Sequence, residues 1–354
     1  MSQTARHWLT RINELPLPQP LAIMNVCGGH ERAITQAGLR SLLPEGITLI
    51  PGPGCPVCIC PEEDIYAVMQ LALHETVTVL SFGDMLRVPV NNRKGSPRSL
   101  EQARACGADI RPIASPLEAV RIARAQPNIR TILFAVGFET TTAPIAAMIH
   151  EGLPDNLYIY SSARLTWPAV ALLLNSGRPG FDALIAPGHV ATVMGARQWQ
   201  FVVEQHQLPA AVAGFQAESL LAAIYSVMRQ SLEQQPFLDN CYAEVVKDEG
   251  NLHAQTLLDR VFDIRAAQWR GIGEIDHSGY QLKDCYAAHD AQRQFAIDQN
   301  TSRKRFGQMP AGCDCAEVVL GRKRPDQCRL YNDACTPDSP IGPCMVSDEG
   351  ACHI

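Results

Sequence analysis

Two short apolar runs near the start of the chain, residues 21–26 and 47–50, each lead into a turn rich in glycine and cysteine. A helical pattern follows each turn, which is the order expected for parallel strands in an α/β sheet. Open α/β sheets hold their ligands at the carboxyl ends of their strands. We therefore expect the turns at residues 27–31 and 52–60 to share one crevice.

Those two turns carry reactive side chains. Cys27 and His30 are separated by two glycines, whose backbone tolerates positive φ and lets a ligand approach closely. Cys55 and Cys58 have the spacing of a dithiol or disulfide, or of half a metal site. A helix is predicted just after this pair, and thiols at a helix N-terminus ionise more easily. The acidic residues at 62–64 oppose that effect, so we expect only moderate activation.

Strand and helix patterns continue to alternate along the chain. Further apolar runs predict strands at residues 77–81, 131–136, 157–161, 183–186 and 210–213. The pattern weakens beyond residue 252, where polar and aromatic residues are mixed. We therefore predict an α/β fold of two domains with mainly parallel sheets that face a cleft, followed by a loop-rich C-terminal domain. The predicted domains are residues 1–115, 116–235 and 236–354.

The C-terminal segment combines many prolines and glycines with six cysteines. They are Cys313, Cys315, Cys328, Cys335, Cys344 and Cys352. Such a segment buries little apolar surface, so something other than a core must hold it together. A [4Fe–4S] cluster needs four thiolates at irregular spacing, whereas zinc sites usually contain two closely spaced cysteine pairs. The last four cysteines, or the set with Cys313 in place of Cys344, fit an iron–sulfur cluster equally well, and zinc is the alternative.

The composition narrows the class of protein. A formal net charge of −6 over 354 residues offers no basic surface for nucleic acid. No apolar run reaches membrane-spanning length, and the first 20 residues lack the apolar region of a signal peptide. Thirteen cysteines, an odd number, indicate a reducing compartment in such a chain, where disulfides seldom hold a fold together. We expect a cytoplasmic protein with no membrane or nucleic-acid partner.

Glu139 follows the apolar run at residues 131–136 and a glycine turn. A carboxyl group at the end of a strand is a candidate proton relay. An acid at the start of a helix is also favoured by the helix dipole alone. Both interpretations of Glu139 stay open at this point.

Five short motifs occur together in this chain. They are Cys-Gly-Gly-His-Glu at 27–31, Gly-Pro-Gly-Cys-Pro-Val-Cys at 52–58, Gly-Phe-Glu-Thr-Thr at 137–141, Pro-Gly-His at 187–189 and the cysteine segment at 335–347. In this combination the chain resembles the HypD family of hydrogenase maturation factors over essentially its whole length. The resemblance implies a scaffold on which the Fe(CN)2CO group of [NiFe]-hydrogenase is assembled with a small HypC-type chaperone. It also implies a HypE-type cyanide donor, and the hydrogenase large subunit as an indirect partner.

The resemblance further implies roles for individual residues. It associates Cys27 and His30 with the nascent iron, and Cys55 and Cys58 with redox chemistry. It associates the C-terminal cysteines with a [4Fe–4S] cluster. The chain departs from the family in Cys60, a third thiol beside the pair, which leaves open which two thiols form a disulfide.

The implied chemistry is consistent with these residue types. Release of cyanide from a protein thiocyanate takes two electrons, which a dithiol beside an iron–sulfur cluster can store and relay. A thiolate from Cys27 suits an iron that carries cyanide and carbon monoxide. We therefore expect a maturation scaffold with redox activity. Two other functions stay open: an iron–sulfur-dependent thiol–disulfide oxidoreductase using Cys55 and Cys58, and a metal-stabilised docking protein.

Overall fold

The structure is a computed structural model that describes residues 2–177, 179–296 and 309–353. The strands are β1 (Leu21–Asn25), β2 (Ile47–Pro51), β3 (Val77–Phe82), β4 (Ile110–Ile113), β5 (Arg130–Gly137), β6 (Leu157–Ala163), β7 (Ala183–Pro187), β8 (Ala210–Ala213), β9 (Leu238–Asn240), β10 (Phe262–Trp269) and β11 (Gly273–Leu282).

The helices alternate with these strands over most of the described chain. They are α1 (Gln3–Glu14), α2 (Gly28–Gln36), α3 (Leu39–Leu42), α4 (Pro56–Ile59), α5 (Glu62–His74), α6 (Leu100–Ala105), α7 (Pro116–Ala125), α8 (Glu139–Glu151), α9 (Trp167–Asn175), α10 (Gly188–Met194), α11 (Gln200–Glu204), α12 (Ala217–Glu233), α13 (Leu252–Val261), α14 (Ala291–Gln294) and α15 (Cys315–Val319). Short 3-10 turns occur at Gly83–Arg87, Ala196–Trp199, Asp284–His289, Pro325–Gln327 and Pro343–Met345.

Two parallel sheets form the centre of the fold. The strand order is β2-β1-β7-β8-β9 in the first sheet and β4-β3-β5-β6 in the second. Each neighbouring pair in these sheets is parallel. Strand β5 is buried along nearly its whole length, as a continuous apolar run in a parallel sheet predicts. The predicted α/β fold with two mainly parallel sheets and a loop-rich, cysteine-bearing C-terminal region is confirmed.

The sheets divide the chain differently from the predicted domains. Strand β3 precedes residue 115 but pairs with β5, and β7 follows residue 115 but pairs with β1. The boundary expected between residues 115 and 116 therefore separates strands that belong to the same sheet. The chain leaves the first sheet after β2, forms the second sheet, and returns to the first at β7. Apolar periodicity identifies strands, but it does not reveal which of them pair.

Amphipathic helices cover the sheets with the faces that the sequence predicts. Helix α5 packs against β3, and its apolar stripe is buried at Ile65, Val68, Met69 and Ala72. Burial of Ile65, Val68 and Met69 contributes about 1.5–3 kcal/mol each to the free energy of folding. Because α5 begins two residues after Cys60, this packing fixes the cysteine turn against the second sheet. Of the helices described, none is long and apolar enough to cross a membrane.

An antiparallel hairpin, β10–β11, follows the two sheets, and its tip lies at residues 270–272. The tip packs against α15, since a β-carbon at Gly271 would lie 2.7 Å from the β-carbon of Ala316. On its other side, the amide of Arg270 donates to the carbonyl oxygen of Ile59 in α4 over 2.9 Å. The hairpin tip therefore contacts both the Cys55–Cys58 turn and the C-terminal cysteine segment.

Candidate thiol and metal site

Cys27 lies between the end of β1 and the start of α2, at the carboxyl edge of the first sheet. The backbone of Gly54 packs directly against it, because a β-carbon at Gly54 would lie 2.5 Å from Cα of Cys27. The amide of Gly28 donates to the carbonyl oxygen of Gly54 over 3.1 Å. The two turns therefore meet at one edge, as the carboxyl ends of parallel strands predict.

The Cys27 thiol is half-buried beneath the C-terminal segment. Glu349 lies over Gly28, where a β-carbon would come within 2.7 Å of the Glu349 carbonyl oxygen. Burial raises the pKa of the Cys27 thiol to about 12, although a hydrogen bond from the His30 amide opposes the rise. The nearby Glu349 carboxylate raises this pKa further. Cys27 is therefore a neutral thiol on its own, and a metal that binds it must displace the proton.

Polar contacts join the C-terminal segment to this edge. Arg32 pairs with Asp348 at 2.9 Å. The hydroxyl of Ser347 donates to Asp84 over 2.6 Å. Sequence reasoning missed Glu349, because no local pattern marks it and it is distant in the chain from the turn that it covers.

His30 is fully buried in the first turn of α2. Its Nε2 lies 3.0 Å from the carbonyl oxygen of Ala213, so Nε2 carries the proton and donates it. Its Nδ1 has no hydrogen-bond partner among the residues that the structure describes. Burial lowers the pKa of His30 to about 4, so the ring is neutral at pH 7. A neutral imidazole with a free Nδ1 lone pair can bind a metal ion or accept a hydrogen bond.

Aromatic packing fixes the His30 ring in this orientation. The ring of Phe215 lies against it with the two centroids 4.9 Å apart. The ring of His189, from the Pro-Gly-His motif, also stacks on Phe215, with the two ring centroids 3.7 Å apart. Three of the motifs noted in the sequence therefore lie within one neighbourhood, at residues 27–31, 52–58 and 187–189.

Cys55 and Cys58 form a disulfide across the short helix α4. Both are buried, with exposed fractions of 5% and 2%. Cys60 stays outside the disulfide, and its buried Sγ lies 3.5 Å from the hydroxyl oxygen of Ser162. Burial raises the pKa of the Cys60 thiol to about 12, and the nearby Asp64 carboxylate adds to that rise. The pairing that the sequence left open is therefore Cys55 with Cys58.

Glu139 is buried at the start of α8, on the carboxyl side of β5 in the second sheet. It accepts hydrogen bonds from the Thr166 amide over 2.8 Å and from the Thr166 hydroxyl over 2.7 Å. Burial raises the pKa of the Glu139 carboxyl group, whereas these two donors lower it. Thr166 therefore binds both carboxylate oxygens of Glu139, which gives Glu139 a structural role. A role of Glu139 in proton transfer stays a prediction.

The C-terminal cysteines converge around Gly342. A β-carbon at Gly342 would lie 2.5 Å from Sγ of Cys315 and would also collide with the sulfur of Cys313. The neighbouring thiols of Cys315 and Cys344 lower the pKa of Cys352, and burial opposes that shift. Three sulfur donors therefore lie close together at this point.

Two other cysteines lie at the margin of this group. The amide of Ile341 donates to Sγ of Cys335 over 3.3 Å. Cys328 is half-exposed, with its Sγ 3.8 Å from the carbonyl oxygen of Gly312. The structure therefore gathers all six cysteines predicted as cluster ligands into one region.

The donor set near Gly342 fits a metal–sulfur group. Thiolates are the ligands of iron–sulfur clusters, and the absence of a side chain at Gly342 lets the sulfur atoms of Cys313 and Cys315 lie together against its backbone. The three described segments contain no group of three or more His, Cys, Asp or Glu side chains that is already arranged to hold a metal ion. The fit therefore rests on the chemistry and convergence of the cysteines, and coordination would require their side chains to rotate.

The Cys55–Cys58 turn contacts both of the other sulfur groups. It packs on Cys27 through Gly54. Helix α4 contacts the 3-10 turn Pro343–Met345, which contains Cys344. The C-terminal segment also reaches the Cys27 turn directly, at Glu349. The three sulfur groups therefore adjoin one another.

Comparison with known proteins identifies the family of this chain. The family profile described as "HypD: Hydrogenase formation hypA family" matches residues 3–354. The "Hydrogenase maturation factor HypD" of Rhizobium leguminosarum bv. viciae is 39% identical over 340 residues, 93% of this chain and 86% of the relative. The proteins of the same name from Rhodobacter capsulatus and Escherichia coli (strain K12) are 38% and 37% identical, each over 94% of this chain and 88% of the relative. The chain therefore belongs to the HypD family of hydrogenase maturation factors.

Proposed function

We propose that the protein is the scaffold on which the Fe(CN)2CO group of [NiFe]-hydrogenase is assembled. In this proposal a HypC-type chaperone shares the iron, and a HypE-type protein donates cyanide. The hydrogenase large subunit receives the finished group indirectly. The chemistry needs reduced thiols, so we also propose that the protein works in the cytoplasm.

The observation that carries the proposal is that the disulfide turn contacts both of the other sulfur groups. Gly54 joins this turn to Cys27, and helix α4 contacts the 3-10 turn that contains Cys344. A dithiol placed there can exchange electrons with either group. A docking protein without redox chemistry would not need this arrangement.

Cys27 and His30 are the residues that would hold the iron as it is built. The Cys27 thiol gives up its proton when it binds the metal, and its thiolate suits an iron that carries strong-field ligands. His30 offers the lone pair of its free Nδ1 to the iron. The Ala213 carbonyl and the ring of Phe215 keep His30 in this tautomer and orientation.

Cys55 and Cys58 would supply the electrons for cyanide transfer. Cleavage of a protein thiocyanate takes up two electrons and one proton and releases cyanide and a thiol. Oxidation of the Cys55 and Cys58 thiols to the disulfide yields two electrons and two protons, so one pair serves one cyanide. A [4Fe–4S] cluster on the C-terminal cysteines would supply electrons to reduce the disulfide again.

Infrared spectroscopy of the protein purified with its HypC-type partner tests this proposal. We expect bands in the cyanide and carbon monoxide stretching region, and we expect Cys27→Ala to abolish them. Cys106→Ala is the matched control, because Cys106 is an exposed free cysteine. Bands that persist in Cys27→Ala would contradict the assignment of the iron site. Turnover of a disulfide substrate without any such bands would instead favour a thiol–disulfide oxidoreductase.

A further inference from the structure

Arg270 occupies the tip of the β10–β11 hairpin, between the disulfide turn and the C-terminal cysteines. Its amide donates to the carbonyl oxygen of Ile59, which belongs to the helix that carries the disulfide. The next residue, Gly271, packs on Ala316, which follows Cys315 in α15. The hairpin tip at Arg270 and Gly271 therefore contacts both α4, which carries Cys58, and α15, which carries Cys315.

The guanidinium group of Arg270 is buried, and only part of it is paired. The residue is 3% exposed. Its Nη2 lies 3.2 Å from Glu62 and donates to the carbonyl oxygen of Pro89 over 2.7 Å. Its Nε and Nη1 have no hydrogen-bond partner within residues 2–177, 179–296 and 309–353. Two nitrogens of a charged group, which carry three N–H hydrogens, are thus left without an acceptor in the interior.

Such an arrangement requires an explanation, because an unsatisfied buried donor costs about 1–3 kcal/mol, and more when it is charged. The ion pair with Glu62 neutralises the charge but does not use these donors. Arg270 lies within electrostatic range of the Cys60 and Cys313 thiols, and its charge opposes the other causes that raise the pKa of both. The sulfur of Cys313, a candidate ligand, becomes anionic when it binds a metal.

We propose that Arg270 donates its Nε and Nη1 hydrogens to the anionic metal–sulfur group held by the C-terminal cysteines, and so raises the reduction potential of that group. This inference rests on the proposed function, since it assumes the cluster. Arg270 is then a positioning residue, because it acts on the potential of the electron source. It makes no contact with cyanide or with the nascent iron in this proposal.

Burial makes the reduction of a metal–sulfur group costly, because reduction adds one electron to a group that is already negative. A fixed cation with free N–H hydrogens on Nε and Nη1 stabilises the reduced form more than the oxidised form. The hairpin tip contacts both α4 and α15. It therefore keeps the metal–sulfur group and the disulfide at a constant separation.

The test is a redox titration of the reconstituted full-length protein, followed by electron paramagnetic resonance. We compare wild type with Arg270→Gln, and with Arg270→Gln combined with Glu62→Gln, which removes the ion pair without leaving an unpaired charge. The matched control is Arg164→Gln. Arg164 is also buried and lies near a carboxylate, but it donates to the carbonyl oxygens of Ala163 and Gln268.

We expect both Arg270 variants to bind iron and sulfide and to be about tenfold harder to reduce, which is 59 mV for a one-electron couple. The control variant keeps the wild-type potential. Equal potentials in wild type and in the double variant would overturn the role of Arg270 while leaving the proposed function intact. Wild-type protein that assembles no iron–sulfur cluster would overturn both the electron source and this inference.

Discussion

Replacing Gly342 by alanine tests where the metal–sulfur group sits. The backbone at Gly342 is extended, with φ −101°, so alanine meets no conformational barrier there. Its β-carbon would lie 2.5 Å from Sγ of Cys315, whereas ordinary contacts begin near 3.4 Å. The sulfur must therefore move by about 1 Å, while ligand distances in a metal site tolerate about 0.2 Å. Overpacking of this kind also costs about 1–3 kcal/mol of stability.

The assay is the iron and sulfide content of each chain after anaerobic reconstitution, with thermal unfolding measured in parallel. We expect Gly342→Ala to retain less than about half of the wild-type iron, because Cys313 and Cys315 are both displaced. Gly83→Ala is the control, since its added carbon would meet no atom within 4 Å. Full iron and an unchanged absorption spectrum in Gly342→Ala would refute the reasoning. That result would favour a ligand set made of the last four cysteines.

Three further predictions concern reactivity and stability. Because burial raises the pKa of Cys27 to about 12, its alkylation rate in the metal-free protein, followed by mass spectrometry, should still rise about tenfold per pH unit between pH 8 and 10. A plateau below pH 9 would contradict this. Ile65→Ala should lower the free energy of unfolding in urea by about 2–5 kcal/mol, because Ile65 is fully buried, and a loss under about 1 kcal/mol would be inconsistent with that packing. Arg32→Ala should cost less than about 1 kcal/mol in the same assay, since both partners of its ion pair are more than half exposed, and a larger loss would mean that this pair holds the C-terminal segment in place.

The sequence predicts those parts of the fold that depend on periodicity. Strand β5 and helix α5 follow from a continuous apolar run and from an apolar stripe, because burial on both faces or on one face leaves such a pattern. The meeting of the Cys27 and Gly54 turns follows from the rule for parallel strands. The pairing of β3 with β5 across residue 115 does not follow, since it depends on the path of the chain between sheets.

Other features leave no local signal at all. The sequence does not predict the β10–β11 hairpin, because half of the residues of β10 are exposed and its burial shows no regular alternation. The ion pair between Arg270 and Glu62 joins residues that are 208 positions apart in the chain. The approach of Glu349 to Gly28 is equally non-local. The sequence therefore predicts the thiols but not the placement of Arg270 and Glu349 beside them.

Mössbauer spectroscopy of ⁵⁷Fe-labelled protein, isolated with its HypC-type partner, tests the central claim that two separate iron sites share this fold. In wild type we expect the signals of a cluster and of a low-spin iron with diatomic ligands. Cys27→Ala should lose the low-spin signal and keep the cluster signal unchanged. Loss of both signals together in Cys27→Ala would contradict the division into two iron sites.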